Sequence, residues 1–139
     1  FNTYGPGMKK YFIYDTILKF IDNPRSIKVL GDGEQIRDYL YIDDVIDAIV
    51  LVAENGRKGE DYNLGSGQPN KIINVINKIA SLMNINAYEV LLTKKSWPGD
   101  IKVWYADITK INKLGFKQKI NFDTGLKKTI DAVSENYKR

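Results

Sequence analysis

Every stretch of this sequence that reads as extended is short, whereas its apolar residues elsewhere recur at helical spacing over much longer spans. Extended candidates cover residues 27–30, 36–42, 62–64, 87–93 and 101–105. Helical candidates run from Met8 to Ile21, from Asp43-Asp44 to Glu54, from Lys71 to Met83, from Asp107 to Leu114-Gly115, and from Asp123 onward. Helices alternating with strands indicate an α/β chain. Strands so few and so short do not make a self-sufficient doubly wound sheet. The expectation is a single unit over residues 1–139, with helices and short mixed strands.

Local signals refine that picture. Gly31-Asp32-Gly33 reads as a tight turn, which makes a hairpin of 27–30 and 36–42 the natural expectation. Asp43-Asp44 read as caps favoured by the helix dipole. The helix they open is apolar nearly all round and is expected to be buried. In the next helix Ile72, Val75, Ile76, Ile79 and Leu82 fall on one face. Asp123 is the expected cap of the last helix, with Leu126, Ile130, Val133 and Tyr137 inward.

Composition removes much chemistry. There is no Cys and no His, which excludes disulfides, thiolate or imidazole metal sites, and Ser-His-Asp catalysis. The +4 charge comes from 21 basic and 17 acidic residues spread along the chain. Basic residues cluster only as pairs such as Lys94-Lys95 and Lys127-Lys128, so no nucleic-acid partner is expected. No run of about 18 apolar residues is present to span a membrane. A cytoplasmic protein with no membrane partner and no metal is expected.

One segment carries candidate binding chemistry. Between Gly31 and Asp44, Arg37, one of four arginines, stands in an extended stretch beside Tyr39 and Tyr41. Its planar fork suits phosphate, and Tyr39, on the same strand face, suits packing against a base or ribose. From spacing alone, Arg37 equally fits a surface pair with Asp32 or Asp38.

Phe1-Asn2-Thr3-Tyr4-Gly5-Pro6, the Gly-x-Gly-x-Gln-x-Arg-Asp-Tyr-x-Tyr-x-Asp-Asp stretch, Tyr62-Asn63-Leu64-Gly65, Pro98-Gly99-Asp100, and Asp107 ahead of Leu114-Gly115 occur in this order over essentially the whole chain. Together they resemble the extended short-chain dehydrogenase/reductase family. Within it the chain looks most like the UDP-glucose 4-epimerases, with dTDP-glucose 4,6-dehydratases and UDP-glucuronate decarboxylases as relatives. The resemblance implies a two-part enzyme, with NAD held mainly by an N-terminal Rossmann half and a nucleotide-diphosphate sugar held by the C-terminal half, to which this chain corresponds. It implies that Asn2 contacts the diphosphate region, Arg37 the phosphates and Asp100 a ribose hydroxyl. Tyr39 would lie near the nucleotide, and Phe1 against the nicotinamide.

Trp97 departs from the pattern, since many epimerases carry an Arg there as a second phosphate ligand. Lys94 or Lys95 is available to replace that charge, and Trp97 itself is suited either to stacking on the base or to packing under its loop. No Tyr here has a Lys four residues on, so the family's Tyr-x-x-x-Lys pair, which acts as base toward a sugar hydroxyl, is absent from the chain. None of the Gly-x-Gly turns extends to a Gly-x-Gly-x-x-Gly fingerprint after a strand. The chain alone is therefore expected to retain no NAD and to be inactive, with a homodimer for the full-length enzyme and self-association for this portion. The rival reading is a non-catalytic module that binds nucleotide sugars or anions.

Overall fold

The computed structural model describes residues 1–95 and 98–137. In chain order its elements are β1 (Asn2–Tyr4), α1 (Tyr11–Asp22), β2 (Ser26–Val29), β3 (Ile36–Arg37), β4 (Tyr39–Tyr41) and α2 (Ile42–Asn55). There follow β5 (Asn70–Lys71), α3 (Ile72–Leu82), β6 (Glu89–Leu92), β7 (Val103–Trp104), α4 (Thr109–Lys113) and α5 (Phe122–Tyr137). The strands form three small sheets. β1 pairs with β4 in parallel, β2 with β6 in parallel, and β3 lies between an antiparallel β5 and a parallel β7. The mixed α/β architecture with short strands is as expected. No helix among the described residues is long and apolar enough to cross a membrane.

The expected hairpin of 27–30 and 36–42 does not form. β2 takes β6 as its partner, with Ile27 opposite Val90 and Val29 opposite Leu92. The expected strand over 36–42 breaks at Asp38 into two strands of different sheets. The stretch 62–64 is not a strand, and α1 begins at Tyr11 rather than Met8.

Two cores flank β4, whose three residues are all buried. Tyr39 and Tyr41 enter the larger core with Ile13, Ile17, Phe20, Ile76, Ile79, Leu126 and Ile130 from α1, α3 and α5. Leu40, alternating to the opposite face, packs with Ala48, Ile111 and Phe116 in the smaller core. The inward face read for α3 holds for Ile72, Val75, Ile76 and Ile79, while Leu82 is only partly buried. Tyr137 is exposed.

Helix α2 is not the buried helix its composition suggests. Ile46, Ile49 and Val50 are 52%, 54% and 48% exposed. Nor do its aspartates cap it. The helix starts at Ile42, one residue earlier than expected, and no side-chain cap bond forms. Asp44 instead accepts hydrogen bonds from the backbone N–H of Lys119 at 2.9 Å and of Ile120 at 3.0 Å, docking the segment that leads into α5. At α5 the cap is Asn121, whose side-chain oxygen accepts from the Thr124 N–H at 2.8 Å. Asp123 pairs with Lys78 of α3.

Gly125 lies where α5 presses on β1. A Cβ there would stand 2.3 Å from the Tyr4 hydroxyl and 2.9 Å from the Tyr41 ring. Alanine in a helix normally stabilises over glycine by up to about 1 kcal/mol. Here Gly125→Ala is expected to destabilise by about 1–3 kcal/mol through overpacking. Denaturant titration checks the sign, and a stabilised variant would show that the contact yields without cost.

Candidate functional site

Asp38 organises the site. It has no solvent exposure, and its carboxylate accepts four hydrogen bonds. Donors are the Ser66 N–H at 2.7 Å, the Ser66 hydroxyl at 2.6 Å, the Gly67 N–H at 3.0 Å and the Ala106 N–H at 3.1 Å. Its backbone carbonyl accepts from the Asn2 N–H at 3.1 Å and from Asn2 Nδ2 at 2.9 Å. Buried acceptors of this kind persist only when their donors surround them. Gly65 allows that approach, because a Cβ there would lie 2.5 Å from both Asp38 Oδ2 and the Ala106 Cβ.

On one side of Asp38 lies Arg37. Its Nη2 donates to Asp100 Oδ1 at 2.7 Å, with the two side chains 16% and 13% exposed. Neither Asp32 nor Asp38 is its partner, as spacing alone had allowed. Gln35 donates from Nε2 to the other Asp100 oxygen at 3.3 Å, and its own Oε1 is buried with no hydrogen-bond partner among the described residues. An orphaned buried acceptor costs about 1–3 kcal/mol. Gln35 and Asp100 line a recess of about 130 Å³ with Gly31, Asp32, Lys94 and Lys102.

On the other side lies a larger cavity, about 350 Å³, within the range of small-molecule sites. Phe1, Asn2 and Tyr39 are in its wall, with Tyr4, Tyr11 and Tyr14. Tyr11 takes a left-handed backbone, φ 72°, at the start of α1. For a residue with a bulky side chain this costs of order 1–3 kcal/mol. Arg37 and Tyr39, expected on one strand face, are thus divided between two sheets. Tyr39 is 5% exposed and stacks on Phe122 with ring centroids 5.6 Å apart. Trp97 lies outside the described residues. No group of three or more acidic side chains among the described residues could hold a metal ion.

Trp104 and Gln35 were not singled out from sequence. Trp104 stands opposite Arg37 in the β3–β7 register and is 48% exposed. It meets Phe1 edge-on at 5.9 Å, so two accessible aromatic rings stand together beside β7. The signal for Trp104 was its scarcity, as one of two tryptophans, in an extended stretch. Gln35 sits in the quoted motif, but motif position does not reveal an unsatisfied amide.

The profile of the NAD dependent epimerase/dehydratase family matches residues 1–65. The protein named "Probable dTDP-glucose 4,6-dehydratase" of Sinorhizobium fredii is 38% identical over 97% of this chain and 41% of its own length. The chain belongs to the NAD-dependent epimerase/dehydratase family. Another relative is dTDP-glucose 4,6-dehydratase 1 of Escherichia coli K12, 31% identical over 99% of this chain and 40% of that protein. Among solved structures, the UDP-glucuronic acid 4-epimerase of Bacillus cereus, in complex with UDP-glucuronic acid and NAD, superposes with a TM-score of 0.85. It is 29% identical, and the match covers 99% of this chain and 44% of that one. The chain spans less than half the length of each of these family members.

Two predictions follow from the geometry. Asp38→Ala leaves three buried N–H groups and a hydroxyl without their acceptor, and is expected to cost at least about 3 kcal/mol in chemical denaturation. A loss below about 1 kcal/mol would show that water replaces the carboxylate. Burial raises the pKa of Tyr4 and Tyr39 well above the ordinary 10.0, reinforced at Tyr4 by Tyr41, Asp44 and Asp123 and opposed at Tyr39 by Arg37. A folded-state pKa raised in this way leaves stability intact below the unfolded value and removes it progressively above. Absorbance titration should therefore show these two hydroxyls ionising well above the ordinary tyrosine range, and stability should fall as pH rises past about 10.

Proposed function

We propose that this chain is the substrate-binding portion, residues 1–139, of an enzyme that modifies a nucleotide-diphosphate sugar. Arg37 holds the phosphates. The observation that carries this reading is a guanidinium held at a strand end and paired with one carboxylate, with the half-exposed Trp104 opposite it in the β3–β7 register. Diphosphate contact at the fork and base or ribose contact at Trp104 is the chemistry that arrangement suits. Asn2 contacts the diphosphate region, Asp100 a ribose hydroxyl, and Tyr39 the nucleotide side of the larger cavity.

Among the residues here, Phe1 fits the cofactor, because its half-exposed ring offers a face to the nicotinamide. NAD, held by the remainder of the enzyme, would supply hydride-transfer chemistry at a sugar carbon. The role of this chain is to fix the nucleotide, so that binding energy from the diphosphate orients the sugar. The full-length enzyme is a homodimer in the cytoplasm, and the apolar outer face of α2 makes this portion prone to self-association.

Motif order favours the UDP-glucose 4-epimerase type. The dTDP-glucose 4,6-dehydratases at 31–38% identity favour a dehydratase as the second reading. Thermal unfolding with UDP or dTDP separates them at the nucleotide. Ligand at 100 times its Kd stabilises by about 2.7 kcal/mol. One nucleotide should raise the midpoint, and Arg37→Ala should remove that rise. If neither nucleotide stabilises the chain at millimolar concentration, the reading fails.

A further inference from the structure

Arg37 touches Asp100 with one nitrogen only. Nη2 donates to Oδ1 at 2.7 Å, while Nη1 turns back to the carbonyl of Ile36 at 2.8 Å. A guanidinium engaged in this way leaves its two-nitrogen edge unused on the carboxylate, and an oxyanion that takes two parallel hydrogen bonds makes the stronger contact. Gln35 holds Asp100 in that place from behind, through Nε2 to Oδ2. The amide is wedged against the glycine turn, since a Cβ on Gly31 would lie 1.9 Å from Nε2. Its buried Oε1 has no donor among the described residues, so the cluster is one hydrogen bond short as it stands.

The recess beside Asp100 also offers its carboxylate an alternative. Lys94 and Lys102 are in the wall of that recess, and neither has an ion-pair partner among the described residues. A carboxylate leaving Arg37 would move toward cations rather than into apolar surroundings.

We propose that Asp100 is an internal competitor for Arg37. Its carboxylate occupies the guanidinium until a diphosphate displaces it toward Lys94 and Lys102, and Gln35 is the positioning residue that sets the strength of that competition. The consequence is a threshold that every anion at Arg37 must overcome. A single phosphate or a small anion must evict a carboxylate already in contact and gains one set of hydrogen bonds in return. A diphosphate brings two phosphoryl groups and prevails. The inference rests on the reading that Arg37 holds phosphate.

The test is calorimetric titration of the chain with inorganic pyrophosphate and with inorganic phosphate, neither of which carries a ribose for Asp100 to bind. Asp100→Asn should tighten pyrophosphate about tenfold, the effect of one charge-assisted contact. It should tighten phosphate by a similar factor, because both anions must displace the same carboxylate. Gln35→Met should move both in the same direction by less, and Arg37→Ala should abolish binding. Pyrophosphate bound by the unaltered chain but no tighter in Asp100→Asn would overturn the competition and leave the phosphate site standing. No binding to the unaltered chain or to Asp100→Asn would overturn both. Thermal unfolding without ligand verifies that each variant is folded. If Asp100→Asn does not fold, Gln35→Met decides alone: tightening supports the competition and no change overturns it.

Discussion

A single carboxylate without solvent contact ties together segments that lie far apart in the chain. Asp38 reaches the loop at Ser66 and Gly67, the segment after β7 at Ala106 and, through its carbonyl, β1 at Asn2. The charge is accommodated because every donor around it is either backbone or a short hydroxyl, with little side-chain entropy to lose. The same residue breaks what would otherwise be one strand into β3 and β4, and so sends Arg37 and Tyr39 into different sheets. The position of the candidate phosphate ligand is therefore set by an interaction that does not itself touch the site.

That break explains the division of the site into a polar recess and an aromatic cavity. Arg37, Asp100 and Gln35 share the recess side, where charged groups satisfy one another at the edge of solvent. Phe1, Asn2 and Tyr39 belong to the cavity side, where the aromatic rings of β1, α1 and β4 meet. Asn2 links the two through its side-chain bond to the Asp38 carbonyl. A ligand with a charged centre and an aromatic end matches such a pairing of surfaces better than a uniformly polar or uniformly apolar one.

What was legible in the sequence was periodicity. The face of α3 formed by Ile72, Val75, Ile76 and Ile79 was readable because helical spacing and burial coincide there. Helix α2 defeated the same method. Apolar residues on all sides report hydrophobicity but not which side this chain covers, and Ile46, Ile49 and Val50 face outward. Aspartates posed a related problem. Asp43-Asp44 and Asp123 stand where caps are expected, yet Asp44 serves a segment 75 residues away and Asn121 caps α5. Local propensity does not encode such long-range partners. For the candidate site, motif order singled out Arg37 and Asp100 as candidates, but their mutual pairing and the unsatisfied amide of Gln35 depend on tertiary packing.

The strand pairings carry a kinetic consequence. Three of the four are parallel, β1 with β4, β2 with β6 and β3 with β7, and parallel neighbours cannot be joined by a tight turn. Each pairing must close a long loop before its hydrogen bonds compensate the lost chain entropy. Helices α3 and α5 form from local contacts, whereas the sheets that carry Arg37 and Asn2 assemble only when distant segments converge. The surface that carries Arg37 and Asn2 is for this reason expected to form late in folding, after the local contacts of the helices.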